Sequence, residues 1–176
     1  EYDLIKPSFK THLSTIKKLK QFELIGAVDK SSVKRNIFKN KFKKPVFSNF
    51  LNAVNLLQPK MLVVSVNTNS ASKIYDDIIK NSLNFKVIVF EKPVALKLNI
   101  AKKILKYCKQ NNITVIVNYI RRFDKSTEEL KNLLSINKIG LIKNIEVTYK
   151  KGFFNSCSHY INYLDFLFNL KKKIQF

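Results

Sequence analysis

The sequence predicts an α/β fold: a Rossmann-like parallel sheet with flanking helices, its first strand missing, followed by the start of an α+β substrate domain. Three observations predict it. Short apolar runs alternate with amphipathic helical stretches as far as Val117, the pattern of repeated βα units. The runs at 61–66, 87–90 and 113–117 are apolar on both faces, as strands covered by helices on both sides are. Several runs end on polar residues, at Asp29, Asn67 and Glu91-Lys92, the positions where open α/β sheets bind ligands.

The elements follow in order. Residues 11–20 carry Leu13, Ile16 and Leu19 on one face and lysines on the other, a helical period. Residues 22–28 are a short apolar run ending at Asp29, a buried-strand pattern. Ser31 and Ser32 can cap a helix to about Lys41, which Pro45 closes off. A two-residue strand at 46–47 and a helix at 50–57 come next. After the strand at 61–66, Asn69 or Ser70 can cap a helix burying Ala71, Ile74 and Ile78. The strand at 87–90 ends in Glu91-Lys92-Pro93, and the helix at 98–109 carries Leu98, Ala101, Leu105 and Cys108 on its apolar side. The pattern changes after Arg122. A helix at 125–134, a turn at Gly140, a strand at 142–149 and a helix at 155–170 are expected there. The boundary therefore falls between a Rossmann domain at 1–122 and the beginning of a substrate domain at 123–176.

The chain has 33 Lys and Arg against 12 Asp and Glu, a formal net charge of +21. Such a balance raises nucleic-acid or membrane binding. The basic residues are spread along the whole chain rather than grouped in one arm, and no nucleic-acid motif accompanies them. Lysine far outnumbers arginine, and asparagine and isoleucine are plentiful, the bias of an AT-rich genome. No specific nucleic-acid partner and no membrane are expected. Cys108 and Cys157 lie far apart, with no metal spacing and no disulfide framework, so no metal and a reducing cytoplasm are expected. Cys108 belongs to the core, and Cys157 implies no thiol chemistry.

In a dinucleotide-binding unit a glycine-rich turn follows the first strand, and an acid about 20 residues on binds the adenosine ribose. Asp29 stands where that acid belongs; it can equally be the start of a turn before a helix. No glycine precedes Gly26, so the first strand and the glycine turn are expected upstream of this chain. Only three glycines occur, Gly26, Gly140 and Gly152.

Four segments, in order, carry a family resemblance over essentially the whole chain. They are LIGAVD ending at Asp29, Glu91-Lys92-Pro93, VNYIRRFD at 117–124, and KGFFNSCSHYINYLDFLF at 151–168. They resemble the glucose–fructose oxidoreductase / inositol dehydrogenase family (Gfo/Idh/MocA). They are most similar to its branch acting on sugars or nucleotide sugars in surface-polysaccharide synthesis. The resemblance implies NAD as cofactor, with NADP possible, a small-molecule sugar or nucleotide-sugar substrate, and a homo-oligomer when full length. It implies cofactor contacts from Asp29, Asn67, Thr68, Asn69, Glu91 and Lys92, and a weak cofactor-side role for His12. Lys92, His159 and Asn155 are its catalytic candidates. Tyr119, Arg121, Arg122, Asn155 and Asn162 are its substrate-side candidates. The departures are the absent glycine motif, Asn69 in place of a proline, Asn155 in place of an aspartate, and a substrate domain that stops after one expected strand and one helix.

The residue types suit that chemistry. Oxidising an alcohol needs a base for the hydroxyl proton, and a histidine titrates near neutrality. In a helix, Asn155, His159 and Asn162 fall at i, i+4 and i+7, a polar stripe that is either a site or an ordinary exposed face. A lysine at a strand end can stabilise a developing alkoxide. Arginine's planar fork suits a carboxylate or phosphate, but a structural ion pair across the domain junction is the other reading for at least one of Arg121 and Arg122. Two alternatives to an oxidoreductase fragment remain: a non-catalytic truncated relic of such an enzyme, and a basic nucleic-acid-binding protein.

Overall fold

The computed structural model describes residues 11–150 and 152–170. Helix α1 (His12–Lys18) opens on a capping box between Thr11 and Ser14. Strand β1 (Ala27–Val28) and helix α2 (Ser32–Phe42) follow, and Ser31 caps α2. Then come β2 (Val46–Phe47), α3 (Phe50–Leu57), β3 (Met61–Val64) and α4 (Thr68–Lys80). Next are β4 (Val87–Phe90), α5 (Leu98–Gln110) and β5 (Thr114–Val117). A 3₁₀ turn (Ile120–Phe123) leads into α6 (Lys125–Ser135). A π turn (Phe153–Cys157) runs directly into α7 (Ser158–Phe168).

All strand pairings among the described residues are parallel. β1 pairs with β2, and β3, β4 and β5 form a second sheet in that order. In a Rossmann sheet the strand order is 3-2-1-4-5-6. If β1 is taken as the second strand, the break between the two sheets falls where the first strand belongs. The expected first strand and glycine turn lie outside the described residues.

The core sits between the β3–β4–β5 sheet and helices α4 and α5. It comprises Val64, Ala71, Tyr75, Ile78, Phe85, Ile88, Phe90, Ile104, Cys108 and Ile113. Cys108 is in the core, as its place on the apolar face of α5 predicts. Tyr75 can be buried because its hydroxyl donates to the Val94 carbonyl at 2.8 Å. Burial nonetheless pushes its pKa up to about 12.

Three sequence expectations are corrected. The strand at 22–28 shortens to Ala27–Val28, because its one neighbour, β2, offers only two residues to pair with. Gly26 is needed just before it: a Cβ there would stand 2.5 Å from Leu57 Cδ1 and 2.9 Å from the Pro45 carbonyl. The cap of α4 is Asn67, two residues before Asn69 and three before Ser70, the two caps expected, its Oδ1 accepting from Ser70 N at 2.9 Å. That puts Thr68 and Asn69 in the first helical turn. The strand at 142–149 does not form. A strand is stable only against a partner, and none stands beside this segment among the described residues. Leu141, 86% exposed, and Ile145, 45% exposed, show an apolar face left uncovered.

Candidate functional site

Register builds the site. Val64 pairs with Phe90 and Phe90 with Val117, so β3, β4 and β5 end level with one another. The residues just beyond, Asn67, Glu91-Lys92 and Asn118-Tyr119, therefore emerge along one carboxyl edge. Asp29 stands at the carboxyl end of β1, in the other sheet. The expected line-up on neighbouring strands thus holds for Asn67 and Lys92, with Asp29 across the break.

Glu91 is the most heavily engaged group there. Its Oε1 lies 2.6 Å from His12 Nε2 and accepts from Asn118 Nδ2 at 2.8 Å. The His12 hydrogen bond, against the opposing effect of burial, holds its carboxyl below the usual range; Asn118, the His12 charge and the Lys92 backbone N–H act in the same direction. Lys92 extends from the next position and donates from Nζ to the main-chain carbonyl of Asn155 at 2.6 Å. The π turn at 153–157 carries that carbonyl, and such turns recur at functional sites.

His159, the second residue of α7, lies about one helical turn beyond Asn155. Its ring meets Tyr119 edge-on, with centroids 5.9 Å apart. Burial, then the charges of Lys92 and Arg121, lower its pKa; Glu91 opposes them. His159 Nδ1 is buried and has no hydrogen-bond partner among the described residues. The Tyr119 hydroxyl is held above its usual range by burial, with Arg122 opposing.

Asn162 continues the helical stripe but faces a different partner. Its Oδ1 accepts from Arg122 Nε at 2.5 Å, and Arg122 Nη2 pairs with Asp165 at 3.1 Å. Arg122 also lies over the Phe166 ring at 5.2 Å. The structure thus places Arg122 and Asn162 in a lock between the 3₁₀ turn and α7, the structural alternative the sequence leaves open. Arg121 is exposed and stacks on Tyr160 at 5.1 Å. Asp29 Oδ1 accepts from Ser31 N at 2.8 Å, and Arg35 Nη1 donates to the Asp29 and Lys30 carbonyls at 2.9 and 2.7 Å. Among the described residues no group of three or more His, Cys, Asp or Glu could hold a metal, and no helix is long and apolar enough to cross a membrane.

Sequence reasoning missed Asn118 and underweighted His12. The first is legible once β4 and β5 are placed in register, since Asn118 follows the partner of Phe90. The second has no local signal, because its partner lies 79 residues away.

Parallel strands with an acid at the end of β1, a helix-capping asparagine beyond β3 and a lysine beyond β4 have the layout of a dinucleotide-binding α/β domain. The chain belongs to the Gfo/Idh/MocA oxidoreductase family, NAD-binding Rossmann fold, whose family model matches residues 7–119. NAD is the cofactor of that fold, as expected. Comparison with curated proteins finds no match. Among solved structures, the chain is similar to the WlbA dehydrogenase from Bordetella pertussis, crystallised with NADH and UDP-GlcNAcA. Identity is 18% and TM-score 0.75, over 89% of this chain and 54% of that one. It is similar to apo scyllo-inositol dehydrogenase from Lactobacillus casei, at 19% identity and TM-score 0.73, over 89% of this chain and 52% of that one. It is also similar to the transcriptional regulator Gal80p from Kluyveromyces lactis, at 19% identity and TM-score 0.76, over 90% of this chain and 47% of that one. The chain thus spans about half the length of these solved relatives.

Proposed function

We propose that the full-length protein transfers a hydride between NAD and a hydroxyl or keto carbon of a sugar or nucleotide sugar, in surface-polysaccharide or sugar metabolism of the cytoplasm. The observation that carries this reading is the 2.6 Å tie from Lys92 Nζ to the Asn155 carbonyl, which joins the end of β4 to the helix bearing His159. The arrangement supplies a neutral imidazole and an ammonium at one carboxyl edge. Residues 1–122 form the cofactor domain in this reading, and 123–176 begin the substrate domain.

The residues fit a dinucleotide. Asp29 receives the adenosine ribose hydroxyls, and the first turn of α4, at Thr68 and Asn69 behind the Asn67 cap, faces the same edge. Glu91 and Lys92 stand on the nicotinamide side. When bound, NAD supplies the hydride acceptor. The chain's own side chains handle the proton: His159 takes it from the substrate hydroxyl while Lys92 holds the oxygen. Asn155 is uncharged, so it orients His159 or the sugar without raising basicity as an aspartate would. Tyr119 and Arg121 line the substrate side, while Arg122 and Asn162 shape it through their lock with Asp165. The full-length protein is a homo-oligomer in this reading, and nucleic acid is not a specific partner.

Asp29 sets cofactor choice. A carboxylate bonds a free 2′-hydroxyl and repels a 2′-phosphate, and Nη1 of the Arg35 guanidinium beside it is taken up by two carbonyls. Titrating the full-length protein with NADH and NADPH by fluorescence is expected to give tighter NADH binding, with Asp29→Asn narrowing the gap. Tighter NADPH binding would show that Lys30, Ser31 and Arg35 outweigh Asp29. Turnover is then read with inositols, uronates and UDP-sugars. The similarity to Gal80p favours one second reading, a non-catalytic relative. NADH binding without turnover on any of these substrates is the outcome that selects it.

A further inference from the structure

We infer that His12 is a positioning residue for Lys92, acting through a hydrogen-bonded clamp on Glu91 that Asn118 completes. The inference rests on the role given to Lys92 above and extends it to a residue on a different element.

The clamp draws on three parts of the fold. His12 is the first residue of α1, Glu91 follows β4, and Asn118 follows β5. Two donors converge on one oxygen, Glu91 Oε1, from His12 Nε2 at 2.6 Å and Asn118 Nδ2 at 2.8 Å. Glu91 is further held through its own backbone, whose N–H donates to the Val64 carbonyl at 3.2 Å. A carboxylate so held fixes the main chain at Lys92, and from that point the lysine stem reaches the Asn155 carbonyl.

Asn118 alone cannot define the carboxylate. It approaches along the sheet edge, on a backbone already bound to the Phe90 carbonyl at 2.8 Å, and supplies one direction. His12 arrives from a separate helix and supplies the second. Its bond is short, as bonds to an ionised acceptor are. At 32% side-chain exposure for His12 and 35% for Glu91, water competes for part of the carboxylate. Removing the imidazole therefore leaves the Glu91 carboxylate on Asn118 alone, with water competing for it, and loosens the chain that carries Lys92. The purpose of an imidazole here is geometric: Nε2 is a donor at the reach the site needs. A glutamine amide has nearly the same reach and donates without a permanent charge.

The test reads the Lys92 amine directly, whether or not any substrate turns over. The 176-residue chain is labelled competitively with acetic anhydride and each lysine is resolved by mass spectrometry, for wild type, His12→Ala and His12→Gln. Lys103, bonded to Asp76 at 2.9 Å, is the internal control. His12→Ala is expected to raise labelling of Lys92 roughly three- to tenfold, the scale of one typical lost intramolecular hydrogen bond, with Lys103 unchanged. His12→Gln is expected to return Lys92 to within about twofold of wild type. The inference is overturned if Lys92 is unaffected by His12→Ala, if Gln labels like Ala, or if Lys92 and Lys103 rise together. The last outcome would mean that His12 only anchors a helix. Lys92 reactivity is independent of turnover, so failure of the clamp and failure of the oxidoreductase reading are separate results.

Discussion

Replacing His159 with Ala is expected to lower turnover of the full-length enzyme by about 10²–10⁴-fold, the usual worth of a positioned acid–base group, with NADH affinity nearly unchanged. The motive is the position of the ring beside Tyr119, within electrostatic reach of Lys92, Arg121 and Glu91. The pH dependence carries the sharper signature. Burial and the two cations lower the His159 pKa, so its neutral, proton-accepting form persists below the ordinary histidine value. In wild type the acid limb of kcat/KM therefore lies below about 6.5, the unperturbed value, and it disappears in the variant. The sign for stability follows the same shift. A histidine buried neutral contributes stability that is fully present above its unfolded pKa and is lost as pH falls through the lowered folded one. Near-normal turnover in His159→Ala with an unchanged pH profile would falsify the assignment and make Lys92 or Tyr119 the next base to test.

The second large effect is on folding. Phe90→Ala is expected to destabilise the 176-residue chain by about 3–5 kcal/mol, the range for deleting a buried aromatic ring. Phe90 is fully buried, at 0% exposure, in the central strand of its sheet. Its ring meets Tyr75 edge-on with centroids 5.2 Å apart, so the substitution opens a cavity and also removes an aromatic pair. The neighbours Val64, Ile88 and Ile104 are fixed by strand and helix backbones and can close that space only partly. For a chain of this size the loss lowers Tm by about 6–20 °C. Urea unfolding checks it: the midpoint falls while the slope is retained. Leu56→Ala, at a residue 73% exposed, serves as the control and is expected to stay within about 0.5 kcal/mol of wild type. A Phe90→Ala loss below about 1 kcal/mol would mean that the site collapses around the gap and that Phe90 does not anchor the sheet.

Both predictions concern positions that sequence alone identifies. Phe90 ends an apolar run flanked by helical periods, and His159 lies in a polar stripe on an apolar helix. Their partners are a different matter. Nothing near Tyr75 in the sequence points to Phe90, and nothing near Lys92 points to the Asn155 carbonyl, because those contacts join separate elements through the sheet and its flanking helices.

By itself the sequence determined the order and type of the elements from α1 to α6, the parallel sheet, and the polar strand ends from which the candidate site is built. Those are properties of local period and of residues near one another in the chain, where apolar spacing, capping side chains and breakers act directly. Tertiary structure alone decided three things. It assigned Arg122 to Asn162 and Asp165 instead of leaving it open to a ligand, an interaction across 43 positions. It joined His12 to Glu91 across 79 positions. It left 142–149 without a strand, since β structure depends on hydrogen bonds to a second chain segment as well as on an apolar pattern of its own. Long-range pairing follows from how helices and strands pack and register, and that information is distributed over the whole chain instead of residing in any one window of it.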